Sequence, residues 1–492
     1  MKVSKVILPV VLGLVFGMNN ALSQTAKPNI LILIGDDISY NDFSCTGSKI
    51  IKTPNIDQLA KNGIIFNNAY LTASSCSPSR VSILTGRYPH NTGAAELHSA
   101  VPANQLAFPK ILKENGYYTA QAGKWHFGES GAQPKGLFLN AFDRVGGSQA
   151  DAGGPGGENR WVEYLKQRPK NKPFFMWFAA HDAHREWDDE DKPVKYHNAD
   201  IRVPSNLVDT RATRMDLASY YEEVSRFDHY IGKVMDELKA QGVLDNTLII
   251  VMADNGRPFP RNKTRMYDEG IKTPFVVHMP GRNLQKGRTS SSMLSVIDIA
   301  PTVLDLAGIK SPPNFQGKSF KKIIEQPNVK FRNYAFAEHN WHSFKAYERM
   351  VRNDHLVYIE NGLPELNNMG ATDIMGGAAG MDLKKEFLDG RASTLQSAIF
   401  ITPQPRYELY DYKKDPDQLN NLYGRKEFQA EQEKLASILK IWKRDTGDDQ
   451  PTDLTPDWYD RWSNKALGKK GNRGQMPGFA LQATTINKPG PF

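Results

Sequence analysis

Two oxygen-rich pairs, Asp36-Asp37 and Asp254-Asn255, each follow directly on an apolar run, Asn29 to Ile34 and Asn246 to Ala253. Side-chain oxygens of this kind are hard ligands, the set that Ca²⁺ or Mg²⁺ takes and thiolate-loving metals do not. Three carboxylates gathered in one pocket require a cation; held apart they are two solvated acidic turns, and spacing alone admits both readings. A second chemical group is Cys76-Ser77-Pro78-Ser79-Arg80, a polar turn entering a helix, with Pro78 at an early helical position and Ser77 or Cys76 near the cap. Such a helix start offers unpaired N–H groups and the positive end of the helix dipole to an anion. Histidines stand near further turns in Gly123-Lys124-Trp125-His126-Phe127-Gly128 and His181-Asp182-Ala183-His184. A lone histidine is more commonly structural than catalytic.

These groups need elements that bring them to one place. The apolar runs read as buried parallel strands whose carboxyl ends carry the oxygen ligands, and a third strand-like run covers Pro173 to Ala180. A fourth covers Thr273 to Pro280, and helical patterns fall at Ile56 to Asn62, Ser79 to Leu84, Pro109 to Asn115 and, at length, Met215 to Gln241. Strands alternating with helices predict a mainly parallel sheet covered on both faces, with ligand sites beyond the strand carboxyl ends. After about residue 330 the pattern shortens to Arg349 to Ile359 and Tyr407 to Tyr412, then a helix over Glu427 to Trp442, which predicts a small antiparallel sheet with one helix. The expected division is a leader at 1–23, a catalytic domain at 24–330, a C-terminal subdomain at 331–450 and a basic tail at 451–492. Ala152 to Gly157 and Met369 to Gly380 are glycine-rich and read as mobile loops.

Composition narrows the function classes. Lys2 and Lys5, the apolar run Ile7 to Phe16 and Ala21-Leu22-Ser23 have the form of a secretory leader, so the protein is expected to be exported, to periplasm or medium. The apolar run is too short to span a bilayer comfortably, and stable membrane insertion is not expected. The chain has two cysteines, which excludes a disulfide scaffold and leaves Cys45–Cys76 as the one bridge available; Cys45 is expected as a small buried apolar residue. A net charge of +8, with basic residues and no acidic one from Arg461 onward, suits a polyanionic substrate. Nucleic acid is not expected, since no basic helix with interleaved aromatics is present.

Cys76-x-Pro78-Ser79-Arg80 with the trailing Leu84-Thr85-Gly86-Arg87 resembles the signature at which type I sulfatases oxidise a cysteine to formylglycine (3-oxoalanine). The Gly123–His126 and His181–His184 segments resemble further motifs of that family, as does Pro405-Arg406-Tyr407-Glu408-Leu409-Tyr410-Asp411 near the end. The resemblance implies an alkaline-phosphatase-like fold, one Ca²⁺ held by Asp36, Asp37, Asp254, Asn255 and modified Cys76, and a formylglycine-generating or anaerobic sulfatase-maturating enzyme as partner. It further implies that Arg80, Lys124 and Lys263 stabilise the sulfate oxygens, that His184 protonates the leaving oxygen and that His126 deprotonates the remaining hydroxyl on residue 76 to expel sulfate. Lys263 is followed by Tyr267-Asp268-Glu269-Gly270 where the family has Y-E-G-G, and Arg265 is the substitute for its role.

Within the family, Ser74 to Arg80, His181 to Arg185 and Asp254 to Pro260 look closest to sulfamidase, the N-sulfoglucosamine sulfohydrolase. The expected function is hydrolysis of sulfate esters on polysaccharides or their fragments, algal (such as ulvan) or glycosaminoglycan, with N-sulfoglucosamine hydrolysis as the alternative. A metal-dependent phosphatase or phosphodiesterase is the alternative from another enzyme class, and a noncatalytic sugar-binding protein the non-enzymatic one. Expected sugar contacts are His98, Arg185, Arg257, His339, Trp341 and His342.

Overall fold

The computed structural model describes residues 27–127, 136–138, 140–146, 157–188, 192–279 and 287–492. The expected leader, Gly128 and residues 152–156 lie outside them. Fourteen strands are assigned among these residues: β1 (Asn29–Gly35), β2 (Ile64–Phe66), β3 (Ala69–Tyr70), β4 (Tyr118–Gly123), β5 (Arg144–Gly146), β6 (Phe174–Ala179), β7 (Thr247–Ala253), β8 (Phe275–His278), β9 (Arg288–Ser290), β10 (Leu294–Ser295), β11 (Ala335–His339), β12 (Glu348–Arg352), β13 (Leu356–Asn361) and β14 (Tyr407–Asp411).

The large sheet has the order β5-β4-β6-β1-β7-β8-β2-β9, and β8 alone runs against its neighbours. The centre is parallel, with Ile32 paired to Trp177 on one side and Ile250 on the other. Alternate residues of these strands enter two different cores, which is why their sequences are apolar throughout. Leu31, Leu33, Met176 and Val251 face the 30-residue helix Arg211–Ala240, whose Leu217, Val224, Phe227 and Ile231 cover that side. The helix starts where the Thr210 hydroxyl accepts from the Thr213 N–H at 3.0 Å. Ile30, Ile32, Trp177 and Ile250 face the other way, into a core shared with Ala337, Met350, Val357 and Ile359 of the second sheet.

That second sheet, β11-β12-β13-β14, is antiparallel, and the run Arg349 to Ile359 is a hairpin of two strands. Its outer face packs on Leu435, Leu439 and Trp442 of the helix Gln429–Thr446. Two expectations are corrected here. Met369 to Gly380 holds helices at Thr372–Gly376 and Ala378–Leu388, because its glycines sit at helix ends and its Ile374, Met375 and Leu383 have a core of their own with Ile399 and Phe400. Cys45 is half-buried and not fully so, and it and Cys76 are both free. Residues 451–492 return to the part of the chain that holds the large sheet: Arg87 donates to the Asn487 side chain and to the Ile486 carbonyl, both at 2.8 Å.

Candidate active site

Four neighbouring strands of the parallel centre, β4, β6, β1 and β7, end on one edge of the sheet. The residues that follow them are Lys124 and His126, His181 and His184, Asp36 and Asp37, and Asp254 and Asn255. The turn after β4 depends on Gly123, at φ +90°, where a Cβ would lie 1.8 Å from the Ala179 carbonyl oxygen. Asp37, His98 and His126 also hold left-handed backbone, with φ of 58°, 61° and 42°. Such conformations cost free energy in non-glycine residues and persist where the surroundings impose them.

The helix Cys76–Thr85, buried along its whole length, points its N-terminus at this edge. Cys76 Sγ is 3.8 Å from Asp37 Oδ1. Asn255 Nδ2 donates to the same oxygen at 2.5 Å, and the Asp37 N–H donates to Asp254 Oδ1 at 3.2 Å. Cations alternate with these acids. Arg80 Nε donates to Asp254 Oδ2 at 2.7 Å, its Nη2 lies 3.7 Å from Asp36, Lys124 Nζ pairs with Asp36, and Lys263 Nζ donates to Asp37 Oδ2 at 2.8 Å. Lys263 fills the place beside the acids, while Arg265 turns away to the Asn368 carbonyl and the Tyr267 hydroxyl.

The donor set fits a hard divalent cation. Asp36, Asp37, Asp254 and Asn255 are fully buried, and Asp36 Oδ1 and Asn255 Oδ1 accept no hydrogen bond. Oxygen atoms deprived of both water and protein donors are costly unless something positive meets them. Burial pushes the Asp37 and Asp254 carboxyls up to about 6 against the pull of Lys263 and Arg80. Burial also raises the Cys76 thiol well above its ordinary value, despite Lys124 and Lys263, so an unmodified thiol there is protonated and poorly nucleophilic.

His184 Nδ1 donates to the Arg185 carbonyl, which fixes the tautomer and leaves Nε2 facing Asp37 at 4.0 Å. Its loop is clamped from behind by Arg226, which grips Asp182 at 2.7 and 2.9 Å. His126 Nε2 meets His98 Nδ1 at 2.9 Å. Burial lowers His184 to about 4 and, assisted by Lys124, pushes His126 well below its ordinary value.

The six expected sugar contacts separate into two groups. His98 adjoins His126, His342 bonds Ser75 at 2.8 Å, and His339 lines a cavity with His342 and Thr264. Arg185 is instead committed to Asp216 at 2.6 and 2.8 Å, and Arg257 to Asp42 at 3.1 Å and Glu269 at 3.0 Å. Trp341 is 3% exposed, its indole against Trp458 with ring centroids 4.4 Å apart and Arg473 4.5 Å over it. These three side chains already have partners, which residue type and position in the sequence do not reveal. A residue without any sequence signal completes the site: Asp373, on the helix Thr372–Gly376, accepts from Lys263 Nζ at 3.0 Å and lies 3.9 Å from His184 Nε2.

A family model described as Sulfatase matches residues 28–309, and one described as N-sulphoglucosamine sulphohydrolase, C-terminal, matches residues 261–360. Human N-sulphoglucosamine sulphohydrolase is 29% identical over 472 residues, covering 86% of this chain and 91% of that protein. An N-acetylglucosamine-6-O-sulfatase of Bacteroides thetaiotaomicron is 25% identical, with 91% of this chain and 92% of the relative covered. An ulvan-active sulfatase of Formosa agariphila is 27% identical, over 87% of this chain and 82% of its own. A solved structure in complex with its substrate D-glucosamine-2-N,6-O-disulfate shares the fold, with a TM-score of 0.64 at 22% identity over 85% of this chain and 98% of the other.

Proposed function

The chain belongs to the sulfatase family and is a sulfuric ester hydrolase, and we propose that the ester it opens is carried by a saccharide. One observation carries this reading: Arg80, Lys124 and Lys263 gather with a buried helix N-terminus around residue 76, each paired with one of the carboxylates Asp254, Asp36 and Asp37, so that a divalent cation on those acids would leave the pocket positive for a small tetrahedral anion. The relatives support the saccharide, since they include an N-sulphoglucosamine sulphohydrolase, an N-acetylglucosamine-6-O-sulfatase and an ulvan-active sulfatase.

Asp36, Asp37, Asp254 and Asn255 would hold one divalent cation, Ca²⁺ in this reading, which supplies Lewis-acid stabilisation of negative charge on sulfate oxygens. Residue 76, matured from cysteine to formylglycine by a modifying enzyme, would contribute an oxygen nucleophile where a thiol is inert. The other side chains orient and move protons. Arg80, Lys124 and Lys263 hold the sulfate oxygens, and each is buried, so their charges act with little screening. His184, with Nδ1 tied to the Arg185 carbonyl, presents Nε2 to the leaving oxygen. A sulfate beside it counteracts the lowering of its proton affinity by burial and neighbouring lysines. His126, kept neutral and braced by His98, stands ready to take a proton at residue 76.

A two-metal phosphatase is the poorer reading, because the place for a second cation among Asp37, His184 and Asp373 is already filled by the Lys263 ammonium, 2.8 Å from Asp37 and 3.0 Å from Asp373. N-sulfate hydrolysis is the second reading, favoured by the match at residues 261–360. We read the protein as exported; among the described residues no helix is long and apolar enough to cross a membrane. The decisive test joins a mass spectrum of the peptide containing residue 76 to sulfate-release assays on 4-nitrophenyl sulfate, O-sulfated sugars and N-sulfoglucosamine. Release from phosphate esters and not sulfate esters refutes the proposal.

A further inference from the structure

Resting on the sulfatase reading, we propose that Asp373 is a specificity-determining residue whose free carboxylate oxygen accepts a hydrogen bond from a hydroxyl or amino group on the sugar, next to the scissile sulfate. An acid is out of place in an anion pocket unless it faces something other than the sulfate. Asp373 comes from the helix Thr372–Gly376 and not from a strand end, and its side chain is 24% exposed. Oδ2 takes Lys263 at 3.0 Å, whereas Oδ1 accepts nothing from the described residues. An ionised carboxylate only accepts, so the partner that completes it is a donor.

The distance to His184 limits where that donor lies. Asp373 Oδ2 and His184 Nε2 are 3.9 Å apart, and Oδ1 sits on the same carboxyl carbon. A leaving oxygen bonded to Nε2 therefore lies within a few ångströms of the carboxylate, and with hydrogen bonds of about 2.8 Å at each end the donor that Oδ1 reaches belongs to a substituent near the sulfate-bearing position.

The turn that carries the carboxylate is also held in place by its neighbours. Arg185 packs so closely on Gly377 that a Cβ there would lie 2.4 Å from its guanidinium, and Asp216, which grips Arg185, also accepts from the Ala379 N–H at 2.9 Å. The Thr372 carbonyl accepts from Asn464 at 3.3 Å, tying the same turn to the C-terminal segment. Precise support from three segments is what selective recognition requires.

The test uses full-length matured enzyme with Asp373→Asn and Asp373→Ala, both checked for an unchanged melting temperature. The probes are 4-nitrophenyl sulfate, the hexose monosulfate that wild type cleaves fastest, and that sugar's deoxy, amino and disulfated analogues altered beside the sulfate. Loss of a charged hydrogen bond predicts a fall in kcat/KM of about 10- to 100-fold on the monosulfate, well beyond the loss on 4-nitrophenyl sulfate. The deoxy analogue should be poor for wild type and no poorer for the variants; the amino analogue should be retained if an ammonium is the donor and lost if only a hydroxyl fits. The disulfated analogue should improve relative to the monosulfate in Asp373→Asn, since a like charge has been removed. Equal losses on aryl and sugar sulfates, with no change in ranking among the analogues, overturn the assignment and leave Asp373 as a support for Lys263. Failure of wild type to release sulfate from any of these probes and from N-sulfoglucosamine would instead sink the sulfatase reading itself.

Discussion

The floor and the rim of the pocket are built by opposite means. The floor is made by the ends of four adjacent parallel strands and one helix, its acids and cations buried and bonded to one another within a few residues of regular structure. The rim is made by segments distant in sequence, His342 after β11, Asp373 after β13, and Trp458 and Arg473 near the end, each held by side-chain contacts between loops and short helices. A group fixed by the sheet can change only if the sheet changes, whereas rim groups can be exchanged one at a time. That division suits an enzyme whose anion is invariant and whose sugar is not.

The largest effects should come from the floor and spare no substrate. Cys76→Ala should lower turnover at least about 1,000-fold on aryl and sugar sulfates alike while leaving the melting temperature in place, as followed by sulfate release and calorimetry. Full activity in protein whose residue 76 is entirely thiol would break the floor's assigned chemistry.

Cation removal should be nearly as severe. Chelation should abolish turnover, and Ca²⁺ at about 100 times its Kd should return about 2.7 kcal/mol of stability. The Asp37 and Asp254 carboxyls are raised to about 6 in the folded chain, above their ordinary 3.8. Without the cation, their contribution to stability is full at low pH and is lost as pH rises through about 6. Ca²⁺ competes with those protons, so its gain in melting temperature should shrink between about pH 7.5 and about pH 5. A gain independent of pH would place the ion elsewhere.

His184 stands between the two regions and should behave as both. His184→Ala is expected to cost about 100- to 10,000-fold on a sugar sulfate, whose leaving oxygen needs a proton, and far less on 4-nitrophenyl sulfate, whose leaving group does not. Identical losses would remove it as the acid. The smallest effect belongs to the rim: His342→Ala, which gives up the 2.8 Å bond to Ser75, should lower sugar turnover about fivefold with little change on the aryl ester. A larger loss on the aryl ester would move His342 into the floor.

The same contrast explains what could be read in the sequence. Apolar runs that end in Asp36-Asp37 and Asp254-Asn255 announce both a strand and what sits at its tip, so the large sheet and its ligand edge were legible together. β4 carries no strand signal of its own, because Tyr118-Thr119-Ala120-Gln121-Ala122-Gly123 lacks a continuous apolar run, although the Lys124 it positions is marked by resemblance. Asp373 is illegible in the sequence because the glycines around it read as a loop, and nothing local marks an acid whose partners are 110 and 189 residues away in Lys263 and His184. Arg185 and Arg257 looked available for sugar because an arginine's partner is a fact of three dimensions; Asp216 and the Asp42–Glu269 pair had already taken them.

The wall over Cys76 imposes an order of events. That side chain is 1% exposed and packs with Leu97, Trp341 and Trp458, and the segment carrying Trp458 continues to the latch on Arg87. Another enzyme cannot reach the thiol once this wall has closed, and the wall needs residues synthesised nearly 400 positions later. Under the proposed maturation, residue 76 would therefore have to be modified before the chain is finished or folded. A molecule that folds first would keep for its lifetime the thiol it was made with.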